Sequence, residues 1–317
     1  MSQKSDSPDT PPARAFTADA VLVGVTVVWG SSFVVVKNAF EHAPPLQFLF
    51  WRFLIASAIL APLLFFRRRT KGLARDGIVV GLLLAGGMAF QVLGVPKTTA
   101  SKAAFLTGLS VVLTPFAAWL RSRRLPSLEN GIGITAAAAG FVLLTFPTGG
   151  GPLNRGDVLV FVCGVIFAFY IVELAERSPR QDTVWLTACQ LATVMVVAGA
   201  ASLVLRLPAF AGLPEGIVER RPVFWHGTFL WSVLYLGSIG TVGTFFCQTW
   251  SQARMSATHA AIIFALEPVF AAILAAWLLG DRLGARGAAG GVLVLAGIVV
   301  SELRLRTRRA GASSAER

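Results

Sequence analysis

Charge is scarce in this sequence. Only 14% of its 317 residues are Asp, Glu, Lys or Arg, where a soluble domain carries about 25%. That is too little to cover a water-facing surface, so most of the surface meets something other than water. Cysteine is scarcer still. Cys163, Cys189 and Cys247 each lie inside an apolar run, without C-x-x-C spacing, which argues against a disulfide framework or a cysteine zinc site. They read as small buried hydrophobes. The three histidines stand far apart, and neither H-E-x-x-H nor G-x-x-x-x-G-K-[ST] occurs. Neither a zincin nor an ATP-driven pump is supported, and no metal or cofactor is expected. Acidic residues are few as well, 16 against 28 basic ones, which leaves a net charge of +12. A nucleic-acid partner is still not expected, because the bases do not share one face with interleaved aromatics. They fall in short bursts between apolar runs: Arg67 to Lys71, Arg121 to Arg124, and Arg304 to Arg309. Loops held on the cytoplasmic side of a membrane have this pattern.

What the sequence has in abundance is apolar length, with 55% of residues hydrophobic. A helix needs about 20 apolar residues to cross a hydrocarbon core. Such stretches occur near residues 18–37, 46–66, 76–95, 100–120, 128–147, 156–175, 183–206, 227–249, 257–279 and 283–303. Backbone groups in lipid must be satisfied internally, so these runs predict helices, and the alternation of a membrane barrel is absent. The polar start, residues 1–17, lacks the features of a signal peptide and is expected to be a disordered cytoplasmic tail. Residues 304–317 are expected to form a basic cytoplasmic tail. With the N-terminus inside, the inner segments hold 18 Lys and Arg residues and the outer ones nine. This bias predicts both termini in the cytoplasm and a multi-pass protein of the cytoplasmic (inner) membrane. The long segment from Leu207 to His226 is expected outside.

The two halves resemble each other. Sliding the sequence by 157 residues places Gln91 on Gln248, Lys102 on His259, Leu109 on Leu266, Gly133 on Gly290 and Ala139-Gly140 on Ala296-Gly297. Five helices per unit is an odd number, so the second unit must enter the membrane from the opposite side. The expected fold class is all-α integral membrane, with ten transmembrane helices as two inverted five-helix repeats, 18–147 and 156–303. Two such units can exchange conformations around a site near the midplane, which supplies alternating access. Gly77-x-x-x-Gly81 and Gly287-x-x-x-Gly291 match the close-packing pattern of membrane helices.

Several segments carry a family resemblance. Trp29-Gly30-Ser31-Ser32-Phe33 closes the first span and Phe50-Trp51-Arg52-Phe53 opens the second. Thr99 to Thr107 opens the fourth, and Ala265-Leu266-Glu267-Pro268-Val269-Phe270-Ala271-Ala272 lies in the ninth. In this order and spacing they resemble the EamA-type branch of the drug/metabolite transporter superfamily, over about residues 18 to 303. The resemblance implies ten helices around a central cavity and secondary active movement of a small metabolite or drug. An amino-acid-like or amine-like substrate and the export direction are favoured. No enzyme activity is expected, although a membrane enzyme on an apolar substrate and a passive facilitator stay open as alternatives.

Glu267 is the candidate for ion or proton coupling. A carboxylate in mid-span costs about 2.5–3.5 kcal/mol on insertion scales, and Pro268 leaves the carbonyl of Phe264 without its helical donor. The same Glu-Pro pair could instead only shape the helix. Lys102 and His259 open equivalent helices, where the dipole is already positive and a cation does nothing for helix stability. They could meet an anionic substrate group or simply face water. Gln91 and Gln248 need hydrogen-bond partners within the membrane, in a helix interface or in a cavity. Trp29, Ser32 and Phe33 end the first span, and Tyr170 takes the corresponding place in the second unit, with Glu173 beyond it. Phe105 and Phe264 complete the substrate-binding set. Arg52 is expected to snorkel to the outer face or to pair with Glu41. The implied partners are a small-molecule substrate, the lipid bilayer and a coupling proton or other ion. One chain is enough to build the cavity, and a dimer is left open.

Overall fold

The computed structural model describes residues 12–40, 42–98, 100–123, 128–145, 153–210, 222–267, 269–270, 273, 285–286, 288–297 and 300. The regular structure among them is helical. In chain order the helices are α1 (Pro12–Ala39), α2 (Pro45–Leu64), α3 (Leu73–Gly94), α4 (Ala100–Ser122), α5 (Leu128–Thr145), α6 (Arg155–Arg177), α7 (Thr183–Val204), α8 (Gly227–Gln252), α9 (Ala257–Phe264) and α10 (Ala288–Gly297). Among the described residues, five are long and apolar enough to cross a membrane, namely α2, α3, α6, α7 and α8 with their terminal turns. Large apolar side chains such as Leu82, Val196 and Trp231 stand exposed on their outer faces, where a soluble protein would carry charge.

The helix starts follow from local chemistry. Pro45 opens α2, where a missing N–H is harmless. Asn154 and Asp157 form a reciprocal capping box on α6. Asp182 caps α7 by accepting from Val184 and Trp185, and Ser256 caps α9 by accepting from His259. Two elements depart from the regular spans predicted. First, α1 starts at Pro12, upstream of residue 18. Second, α8 contains a π-helical segment, Ser238–Gly243, between two α-helical stretches. In the ninth span regular helix stops at Phe264, Leu266 bonds back only three residues to Ile263, and Phe270 resumes the four-residue step onto Leu266. Pro268, the helix breaker expected in this span, lies outside the described residues.

The helices pair across the two halves of the chain. α1 packs on α8, α2 on α7, and α3 on α6, while α4 lies against α6 and α9 against α1. Numbered within each half, first meets third, second meets second, and fourth meets first, in both directions. The fifth helices obey the same rule at atomic detail. A Cβ on Gly140 of α5 would lie 2.6 Å from the carbonyl oxygen of Gly290 in α10, and one on Gly297 would lie 2.7 Å from that of Gly133. Only glycine permits these backbones to approach so closely.

One end of the assembly is held by charge. Arg177, in the last turn of α6, pairs with Asp76 of α3 and with Glu173, while Arg121 of α4 reaches Glu173 at 2.8 Å and Glu176 at 3.1 Å. The hydrogen bond to Glu173 holds the Arg121 guanidinium above its ordinary pKa. At the other end of α1, residues Ala39, Ala43, Phe48, Phe229 and Val233 form a separate apolar cluster.

Candidate functional site

A chain of buried amides runs through the junction of α6, α7 and α8. The Tyr170 hydroxyl lies 3.0 Å from Gln190 Oε1 and 3.3 Å from Gln248 Oε1. Gln190 Nε2 donates to Thr249 Oγ1 at 2.9 Å, Gln248 Nε2 to Gln252 Oε1 at 3.0 Å, and Gln252 Nε2 to the carbonyl of Ile171 at 3.0 Å. The polarity of the chain is fixed by its end. Ile171 can only accept, so Gln252 must donate there and accept from Gln248. Thr249 gives its proton to the Phe245 carbonyl, so Gln190 must donate to it. The single Tyr170 proton is therefore shared between two carbonyl oxygens. Tyr170, Gln190, Gln248, Thr249 and Gln252 are all buried. In such a setting each lost partner costs about 1–3 kcal/mol.

One turn along α8 the surface becomes aromatic. Phe245 lies 5.6 Å from Trp29 of α1 and 6.2 Å from Phe53 of α2, and Trp29 stacks on Phe264 of α9 at 5.6 Å. A further turn back, α8 meets Arg52 of α2. This arginine is buried and does not snorkel to the outer face, and Glu41, the other partner expected, lies outside the described residues. Arg52 Nε donates to Thr241 Oγ1 at 2.6 Å and its terminal nitrogen to the Gly240 carbonyl at 3.0 Å. Both acceptors lie in the π-helical segment, whose wider turn offers backbone oxygen to a neighbour. α8 thus carries a column of functional groups, running from the Arg52 anchor through the aromatic face to the amides.

The structure brings together Trp29, Tyr170, Gln248 and Phe264 of the sequence-predicted set. Ser32 is buried beside them and donates to the Val28 carbonyl at 2.7 Å. Gln91 stands apart, 3.5 Å from Thr107 Oγ1. His259 does not face water: it is buried, and its Nε2 lies 3.0 Å from Asp19 Oδ1. Glu267 is half-buried just beyond the break in the ninth span. The side chains of Phe33, Lys102 and Phe105 lie outside the described residues. Sequence reading missed Gln190, Thr249 and Gln252, although an amide inside an apolar run is a signal that was present in each of α7 and α8.

Comparison with known proteins fits this architecture. The model described as "EamA-like transporter family" matches residues 16–146 and again 154–303. An "Uncharacterized transporter" of Archaeoglobus fulgidus is 27% identical over 289 residues, covering 91% of this chain and 86% of that protein. The "Probable amino-acid metabolite efflux pump" of Salmonella typhimurium is 28% identical over 302 residues, covering 90% of this chain and 94% of the pump. An "S-adenosylmethionine/S-adenosylhomocysteine transporter" of Chlamydia muridarum is 26% identical, over 56% of this chain and 59% of its own length. One protein crystal structure superposes with a TM-score of 0.71 at 18% identity, covering 92% of this chain and 99% of that one. That likeness concerns the fold.

Proposed function

We propose, from the premise that this chain belongs to the EamA-like transporter family, that it is a secondary active transporter working by alternating access. The moving parts are the five-helix units 18–147 and 156–303, inserted with opposite orientation in the cytoplasmic membrane, with both termini in the cytoplasm. The observation that carries this reading is the pairing of helices across the halves, including the reciprocal Gly140–Gly290 and Gly297–Gly133 approaches. Two alike halves that interlock reciprocally can exchange conformations, which gives two equivalent states, one open to each side.

The substrate is a small metabolite of amino-acid-like or amine-like chemistry, and the direction is export. The aromatic face of Trp29, Phe245 and Phe264 suits an apolar side chain, and the amides of Gln190 and Gln248 suit its polar end. The amino-acid-related cargo in the names of two relatives supports the same class. Glu267 carries the coupling proton, since it is the acid beside the helix break.

The test begins with thermal shifts of the purified protein against amino acids, amines, sugars, nucleotides and cationic drugs. A ligand at 100 times its dissociation constant adds about 2.7 kcal/mol to the folded state. The ligand that stabilises is then followed in proteoliposomes under a proton gradient. Wild type accumulates it against its gradient, while Glu267→Gln binds it but does not accumulate it. Accumulation by Glu267→Gln that matches wild type at every pH removes the coupling role. Flux that never exceeds equilibrium makes the protein a facilitator.

A further inference from the structure

A carboxylate stands near the opening of each half, Asp19 in α1 and Asp157 in α6. The family match starts at residue 16 in the first half and at 154 in the second, and Asp19 and Asp157 stand at the same distance from these starts. Each reaches out of its own half. Asp19 Oδ1 lies 3.0 Å from Nε2 of His259, in the first turn of α9, which is the fourth helix of the second half. Asp157 accepts the hydroxyl of Thr98, on the turn that leads into α4, the fourth helix of the first half. Under the 157-residue shift His259 corresponds to Lys102, one turn beyond Thr98.

The two contacts lie at opposite ends of the molecule. Asp157 and Thr98 meet at the start of α6. The last turn of α8, which leads directly into α9, is tied by Gln252 to Ile171 in the final third of α6. That end of α6 also carries the Arg177 ion pairs. On the orientation proposed above, Asp19–His259 closes the cytoplasmic end and Asp157–Thr98 the outer end.

We infer that Asp19–His259 and Asp157–Thr98 are the paired gate latches of the transporter, one for each side, each fastening the first helix of one half to the fourth helix of the other. The inference rests on the alternating-access reading. Opening to one side requires the release of one latch while the other holds. The two are chemically unequal. A carboxylate facing an imidazole that gains charge on protonation can become an ion pair, whereas the Thr98 hydroxyl stays neutral. Asp157 also keeps its capping role when Thr98 lets go.

Hydrogen exchange of the full-length protein in mild detergent tests this. Asp19→Asn is expected to speed exchange about tenfold across residues 257–264 and to leave 95–103 unchanged, a change equal to one charge-assisted hydrogen bond. Thr98→Val, which spares the capping box, is expected to do the reverse. His259→Phe provides a second lesion of the inner latch and should copy Asp19→Asn. Asp19→Glu, which keeps the carboxylate, should restore protection. Equal acceleration at both ends in either variant, or none at either, overturns the inference. Flux separates it from the reading beneath it. End-specific exchange in a protein without gradient-driven flux upholds the latches and removes the transport cycle. Normal flux with exchange that ignores the ends removes the latches alone.

Discussion

Tyr170 has one proton and two carbonyl oxygens to serve. Replacing it with Phe leaves Gln190 Oε1 and Gln248 Oε1 buried without that donor, so Tyr170→Phe should lower stability by about 1–3 kcal/mol, read as a drop in melting temperature in detergent. An unchanged melting temperature would mean that the amides rearrange among themselves. The sequence displayed half of this site. Tyr170 and Gln248 stood out because a polar group inside an apolar run must find a partner. Burial in lipid predicts that need without saying which partner meets it, and Gln190, Thr249 and Gln252 show how many answers were available. Arg52 teaches the same lesson. Its length allowed an exit to the outer face, but the π-helical turn of α8 offered Gly240 and Thr241 instead, while Glu41 lies outside the described residues.

Among elements, the break in α9 was legible and the bulge in α8 was not. A proline removes a specific N–H, so Glu267-Pro268 announces where the helix must falter. A π turn arises from one surplus residue, and it leaves the hydropathy of Ser238–Gly243 indistinguishable from ordinary helix. The surplus can be tested directly. Each residue turns an α-helix by about 100°, so a deletion in regular helix rotates everything beyond it out of phase. Ile239 is exposed and lies within the π segment. Deleting it should return that turn to α geometry and keep Gln248 and Gln252 facing Tyr170, with loss of the Arg52 contacts alone. Deleting Val233, outside the segment, should abolish the folded protein. Size-exclusion profiles of the two deletions decide the matter, and equal collapse would argue that the bulge is not a one-residue insertion.

For the whole molecule, the internal repeat was the most informative part of the sequence. The glycines matched as Gly133 on Gly290 and Gly140 on Gly297 meet crosswise in the structure, Gly140 against Gly290 and Gly297 against Gly133. The pairing of first helix with third and second with second was not legible, because a repeat says that two units are alike and not how they interlock. That interlocking bears on how the protein is made. As the chain leaves the ribosome, α1, α2 and α3 enter the bilayer before any residue of α6, α7 or α8 exists, and their main packing partners are those later helices. The first half must therefore wait in the membrane with its grooves unfilled, exposed to quality-control proteases. Residues 1–150 synthesised alone should be inserted and then degraded rapidly. Co-synthesis of 151–317 from a separate message should lengthen their half-life in a pulse-chase, unless the first half is a folding unit in its own right.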